Sequence, residues 1–166
     1  MTTITRTQYD NRELWTDFLR YAGLEQIRHS LVKTTGRTNE IYGYCCLGVA
    51  GALVCQLPIM PVDVKDKGNN EKNVMQLRIN KNTIVIGTLD YDFFMKTFGV
   101  TYLVADYMQA ALAALNDDAR LSFVKIAGIV ELLFALADTM NDVEFYENCD
   151  YIKNSILNPT EDALFY

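Results

Sequence analysis

Two adjacent cysteines are the strongest candidates for chemistry in this chain. Cys45 and Cys46 open the apolar run CCLGVAGALVC, which predicts a helix buried on every side. Unpaired amides and the helix dipole at a helix N-terminus favour a thiolate, so either thiol could serve as a nucleophile. With His29 as base and Asn116 or Asp117 as the orienting group, the chain would resemble a thiol hydrolase in its chemistry.

The structural interpretation of the same cysteines is simpler, and we favour it. Cysteine is among the most frequently buried residue types and packs in an apolar helix as a small hydrophobic side chain. We therefore expect Cys45 and Cys46 to be largely buried. The four cysteines and the single His29 form no CxxC pair and no spaced Cys/His cluster, so we expect neither a metal nor a cofactor.

Asn116 and Asp117 are the second candidate site. We predict that the preceding helix ends at Leu115, which would place this pair in a turn between two helices. Asx side chains in such a turn bond local amides, but at an interhelical opening they also offer a donor and acceptors to a ligand. Tyr44, one of ten tyrosines, could line the same pocket. Both interpretations remain open.

The elements that position these residues are mainly helices. Asp10, with Glu13 three positions later, predicts the start of the first helix, and Gly23 its end. Further helices are predicted by apolar periodicity and capping residues over Tyr91 to Phe98, over Tyr102 to Leu115, from the N-cap Ser122 onward, and over EFYENCDYIKNSIL. The alternation in VMQLRI and TIVIG predicts a single β-hairpin at about residues 74–89. The fold class is therefore mainly α (α+β), with the hairpin as a small insertion.

The composition of the chain limits its domain number, its partners and its location. The 166 residues are 50% hydrophobic and 22% charged, which predicts one compact globular domain over residues 1–166. A net charge of -6 with scattered Lys and Arg argues against a nucleic-acid partner. The longest apolar run falls short of the ~18–20 residues that span a bilayer, and the N-terminus lacks a secretory apolar segment. We expect a cytoplasmic protein that does not bind membranes, with enough apolar surface for a homodimer.

Three sequence pieces, taken in order, resemble a family of small uncharacterised proteins from bacteriophages and their bacterial hosts. The first is a tryptophan segment with downstream Gly and Gln, the second is the run YCCLGV, and the third is LND followed by SFxxIAxxxE. The matching residues are Trp15, Leu19, Gly23 and Gln26, then Tyr44 to Val49, then Leu115, Asn116, Asp117, Ser122, Phe123, Ile126, Ala127 and Glu131. The spacing from Gly23 to Gln26 is one residue shorter than the family pattern.

The resemblance implies a phage or mobile-element origin, and hence the cytosol of a host cell. We therefore expect a phage-type accessory protein that binds without turnover. Its partner would be a host protein, as in a counter-defence role, or a small, nucleotide-like ligand. The first candidates for the contact surface are Gln26, Tyr44, Asn116 and Asp117. The alternative is the cysteine-dependent hydrolase that uses Cys45 or Cys46 with His29.

Overall fold

A computed structural model describes residues 3–34, 41–57, 59–63, 75–80, 82–85 and 89–158. The helices in these ranges are α1 (Arg6–Tyr21), α2 (Cys46–Val49), which continues as a π-helical turn (Ala50–Val54), α3 (Tyr91–Phe98), α4 (Tyr102–Asp117), α5 (Phe123–Thr139) and α6 (Asp142–Leu157). The strands are β1 (Val32–Thr34), β2 (Ile41–Tyr44), β3 (Ile59–Asp63), β4 (Met75–Asn80) and β5 (Asn82–Val85). The prediction of a mainly helical fold is confirmed.

The predicted hairpin is present as β4 and β5, which pair antiparallel with Leu77 opposite Val85. Residues 74, 81 and 86–88 of the predicted segment lie outside the described residues. The structure adds strands that the sequence analysis did not predict. Strand β3 runs parallel to β4, and β1 pairs with β2 in a separate antiparallel sheet. Proline at position 61 weakens the strand signal of β3, because proline cannot donate to a ladder.

Three predicted helix ends are wrong by a few residues, and one of them is the start of α6, at Asp142 rather than Glu144, because Asn141 is its N-cap. Helix α1 begins at Arg6 rather than Asp10, because Thr5 and Gln8 form a full capping box upstream of the predicted one. Helix α4 ends at Asp117 rather than Leu115, so the pair at 116 and 117 belongs to its last turn. The chain reverses afterwards at Arg120, which has a φ of 53°. No glycine marks this reversal, so the sequence carries no stop signal there.

Other helix ends are confirmed. Helix α3 begins at Tyr91 and ends at Phe98, with Gly99 in the left-handed conformation at a φ of 67°. Ser122 caps α5 by accepting a hydrogen bond from the Lys125 amide. Each of these ends depends on a residue whose own chemistry fixes the local backbone, so a short stretch of sequence was enough to predict it.

The core is centred on Trp15 of α1, which is fully buried. Its ring packs against Phe94, Phe98 and Phe134, with centroid distances of 5.9, 5.0 and 6.0 Å. Its indole N–H donates to the carbonyl of Cys46 at 3.0 Å. One side chain therefore joins α1 to α2, α3 and α5, with its polar atom satisfied.

Helix α2 approaches the chain before β1 very closely at Gly48. A Cβ placed on this residue would lie 1.8 Å from the carbonyl oxygen of Leu31. The same carbonyl accepts a hydrogen bond from the Cys45 amide at 2.9 Å, so the backbone cannot move away without losing that bond. Gly48 is thus required for close packing rather than for an unusual φ angle.

No single helix within the described residues combines the length and the apolar character of a membrane span. Helices α3 and α4 reach that threshold only when they are counted together, across a bend of 103°.

The same substitution at two glycines should have opposite effects. We expect Gly48→Ala to lower the free energy of unfolding by about 3 kcal/mol or more, because the new methyl group would overlap the Leu31 backbone. Gly128→Ala is the matched control, since its Cβ meets nothing within 4 Å on the exposed side of α5. It should stabilise by about 0.5–1 kcal/mol through helix propensity. Urea titration measures both, and equal effects would contradict the Gly48 contact.

Candidate functional site

The structure brings the predicted contact residues together at the C-terminal end of α4. The Asn116 side chain is fully buried there. Its Oδ1 accepts from Gln26 Nε2 at 2.8 Å, and its Nδ2 donates to the Ile27 carbonyl at 2.9 Å and to Asp117 Oδ1 at 2.7 Å. Gln26 Nε2 also donates to the Leu121 carbonyl at 2.8 Å. These bonds hold the segment after α1 against the end of α4.

Tyr44 joins this cluster through its backbone. Its N–H donates to the Glu25 carbonyl and its own carbonyl accepts from the Ile27 amide, both at 2.9 Å. Burial raises the pKa of the Tyr44 phenol. Strand β2 is thereby extended by the segment that carries Gln26, and the polar atoms of the cluster bond mainly to one another.

His29 lies beside the cluster, on a backbone with a φ of 65°. Its amide donates to Asp117 Oδ1 at 3.0 Å, and its ring Nδ1 is 3.7 Å from Asp117 Oδ2. The side chain is 73% exposed. In the described part of the chain no hydrogen bond joins His29 to either Cys45 or Cys46. The arrangement therefore contains a His–Asp pair without a thiol bonded to it.

The two thiols are buried, as the structural interpretation predicts. Cys45 is 7% exposed and Cys46 is not exposed at all. Burial raises the pKa of Cys45 to about 12 and that of Cys46 well above its usual value. The thiolate that the nucleophile hypothesis requires is disfavoured, because desolvation outweighs the bond from the Gly48 amide to Cys45 Sγ. Both residues pack as hydrophobic side chains.

A different feature, an open groove of about 1680 Å³, lies on the other side of the molecule. It is bounded by the start of α1, the corner between α3 and α4, and the corner between α5 and α6. Its apolar lining comprises Ile4, Tyr9, Met95, Val100, Val104, Ala137, Met140 and Val143. No sequence pattern predicts this groove, because its walls come from corners that are far apart in the chain.

Polar side chains of α1 hold one wall of the groove in place. The last carbonyls of a helix have no partner within the helix. Three such carbonyls of α3, and that of Gly99 directly after it, accept hydrogen bonds from side chains of α1. The pairs are Gln8 with Lys96 at 3.1 Å, Asn11 with Thr97 at 3.0 Å, and Arg12 with Phe98 at 2.7 Å and Gly99 at 3.2 Å. The corner that follows α3 is therefore fixed by α1.

Arg12 also connects this corner to the second one. Its Nη1 bonds both carboxylate oxygens of Asp138, at 3.0 and 2.8 Å, near the end of α5. Its guanidinium lies 4.5 Å from the centre of the Phe134 ring. Thr101 Oγ1 adds a second link by donating to Asp142 Oδ1 at 2.8 Å. The two corners are thus joined by an ion pair and a hydrogen bond.

Carboxylates dominate the charged lining of the groove. Among the described residues that line it, four are acidic and one is basic: Asp92, Asp138, Asp142, Glu144 and Lys96. Arg12 neutralises Asp138, which leaves three carboxylates and one ammonium group. No three His, Cys, Asp or Glu side chains in the described ranges are grouped closely enough to hold a metal ion.

Comparison with protein-family models, with curated proteins and with solved structures finds no match to this chain.

Removing the Asn116 side chain should strongly destabilise the fold. Asn116→Ala leaves the Ile27 carbonyl without its side-chain donor and removes one of the two acceptors of Gln26 Nε2, so we expect a loss of about 2–4 kcal/mol in the free energy of unfolding. Asn148→Ala is the control, because its side chain makes one exposed bond to the Glu144 carbonyl at 2.7 Å. It should change stability by less than about 0.5 kcal/mol. If Asn116→Ala lowered the free energy of unfolding as little as Asn148→Ala does, the cluster would not be structural.

The thiols should be unreactive in the folded protein. Burial keeps both thiols protonated at pH 8, since it raises the pKa of Cys45 to about 12 and that of Cys46 well above its usual value. We expect iodoacetamide to leave Cys45 and Cys46 unlabelled until urea unfolds the chain, as read by mass spectrometry. Because the unfolded thiols ionise first, stability should also fall as the pH rises from about 8.5 towards 12. Rapid labelling of the folded protein would instead support the hydrolase.

Proposed function

We propose that this protein acts by binding, and that the groove receives a segment of a partner protein. The observation that carries this proposal is the size and openness of the groove. Pockets for small ligands usually measure about 300–1,000 Å³ and enclose most of the ligand. A groove of about 1680 Å³ with an apolar lining is better matched to a length of polypeptide.

The charges favour a protein over a nucleotide-like ligand. A nucleotide brings phosphate groups, and the groove would set three unneutralised carboxylates against them. Asp142 and Glu144 stand in the first turn of α6, so they also occupy the helix end that would otherwise attract an anion. Of the two occupants expected from the sequence, the protein partner has the stronger support.

The buried thiols support binding over hydrolysis. A nucleophilic cysteine needs a thiolate that the substrate can reach, whereas Cys45 and Cys46 are enclosed in the core with raised pKa values. The His29 imidazole lies with its Nδ1 3.7 Å from Asp117 Oδ2, and within the described residues no hydrogen bond joins it to a thiol. The geometry gives no observation that favours the hydrolase.

The biological setting in this proposal comes from the sequence resemblance. A phage-type accessory protein would act in the cytosol of the host, and a host protein would supply the bound segment. A counter-defence role is one function of this kind. The partly exposed residues Gln26, Tyr44 and Asp117, which surround the buried Asn116, remain a second candidate surface, at the far end of α4 and roughly 20 Å from the groove by helix rise.

Site-specific crosslinking distinguishes these surfaces. A photoreactive residue at Val143, which is 66% exposed and lines the groove, should crosslink one partner that mass spectrometry can identify in a lysate. The same group at His29 tests the second surface, and at Leu132, which is 43% exposed outside the groove, it measures background. The Val143 crosslink should disappear when Met140→Arg fills the groove with a charged side chain.

Two outcomes would contradict the proposal. Crosslinking from Val143 that does not exceed the Leu132 background would remove the groove as a binding site. Crosslinking from His29 alone would move the interaction to the cluster around Asn116. Circular dichroism of Met140→Arg must match that of the unmodified protein, so that a lost crosslink reports on binding rather than on folding.

A further inference from the structure

The lining of the groove also indicates the chemistry of its occupant, and this inference rests on the proposed function. We propose that the bound segment is a basic amphipathic helix of the partner, with its apolar side against the floor and its Lys or Arg side chains at the acidic rim. Asp92, Asp142 and Glu144 supply the rim, against the single ammonium group of Lys96 among the described lining residues. Complementary charges of this kind speed association and reject partners of the wrong sign.

The helix ends at the groove do not reverse this preference. Helices α1, α4 and α6 all begin there, and a free helix N-terminus would attract an anion. Each is already capped: the side chains of Thr5, Thr101 and Asn141 accept from the amides of Gln8, Val104 and Glu144, in that order. The Glu144 carboxylate in turn accepts from the Asn141 amide. The amide donors that an anion would need are therefore partly used, and acidic side chains stand beside them.

The apolar residues that line the groove can adapt to partner helices whose apolar faces differ in shape. Met95 and Met140 are half-buried on opposite corners of the groove. Methionine side chains are flexible and polarizable, and they are common on surfaces that accept amphipathic helices. Val100 and Ile4 add to the apolar lining.

The walls exclude the main alternative, a partner that adds a strand to a sheet. Strand addition needs an exposed strand edge that offers backbone hydrogen bonds. The described residues that line the groove belong to α1, α3, α4, α5 and α6, to their corners and to the residues before α1. A segment bound here must satisfy its own backbone, and a helix does so.

A synthetic peptide tests the charge and the apolar face together. The probe is a fluorescent helix of about 14 residues, with Leu at positions i, i+3, i+4 and i+7 and Lys elsewhere. One comparison peptide replaces every Lys by Glu, and a second has the Leu/Lys composition in a scrambled order. Fluorescence anisotropy should show the Leu/Lys helix binding at least about tenfold more tightly than either, and more weakly at higher salt.

Charge variants of the protein locate the interaction. Asp92→Asn and Glu144→Gln should each weaken binding by about two- to fivefold, the range for exposed ion pairs. Gln at position 144 retains the capping box, so stability should change little. Glu147→Gln is the matched control, because Glu147 is exposed on α6 one turn further on and does not line the groove. It should leave the affinity unchanged.

The outcomes separate this inference from the proposed function. Three results would overturn the inference that the partner segment is a basic helix. They are equal binding of the Lys and Glu peptides, no binding of the Lys peptide, and an equal effect of Glu147→Gln and Glu144→Gln. A Val143 crosslink that persists with an acidic or non-helical partner segment would overturn it too, while the groove would remain the binding site. If crosslinking from Val143 does not exceed the Leu132 background, both the groove as a binding site and the basic helix as its occupant are contradicted.

Discussion

A single buried guanidinium, that of Arg12, sets the arrangement of the helices around the groove. A buried charge is unfavourable unless it is paired and fully hydrogen-bonded, and Arg12 meets both conditions through Asp138 and the last carbonyls of α3. Lysine could not replace it, since the planar fork is what reaches an ion pair and two carbonyls at once. Because the same atoms hold both corners of the groove, stability and the shape of the binding surface depend on one side chain.

The parts of the fold that could be predicted from the sequence are those decided by local chemistry. Gly99 ends α3 and Ser122 starts α5 because each residue fixes its own backbone or caps its own helix. The missed boundaries depend on other factors. Gln8 is an ordinary helix former until its side chain reaches the Thr5 amide, and Arg120 takes a left-handed conformation that a short sequence window does not indicate. Strands of three to five residues, such as β1 and β3, carry too little periodicity to be recognised.

In the candidate site too, local chemistry could be predicted from the sequence and contacts between distant residues could not. Residue type alone indicated that Asn116 and Gln26 would bond to something, since amides offer both donors and acceptors. Whether the partner is a ligand or another part of the chain depends on contacts across about 90 positions, and here each bonds within the protein. The groove is harder still to predict, because Met95 and Met140 look like ordinary core residues until the corners that carry them are brought together.

The packing of Trp15 has a consequence for how the chain is made. Its ring partners include Phe134, about 120 residues later in synthesis, so α1 leaves the ribosome long before its core can close. At roughly 5–20 residues per second that delay is on the order of 6 to 24 s. During this interval the apolar face of α1 is exposed in the cell, where a chaperone or the growing chain itself must shield it. The time needed to translate the chain from α1 to Phe134 in α5 therefore sets the earliest moment at which the finished core can form.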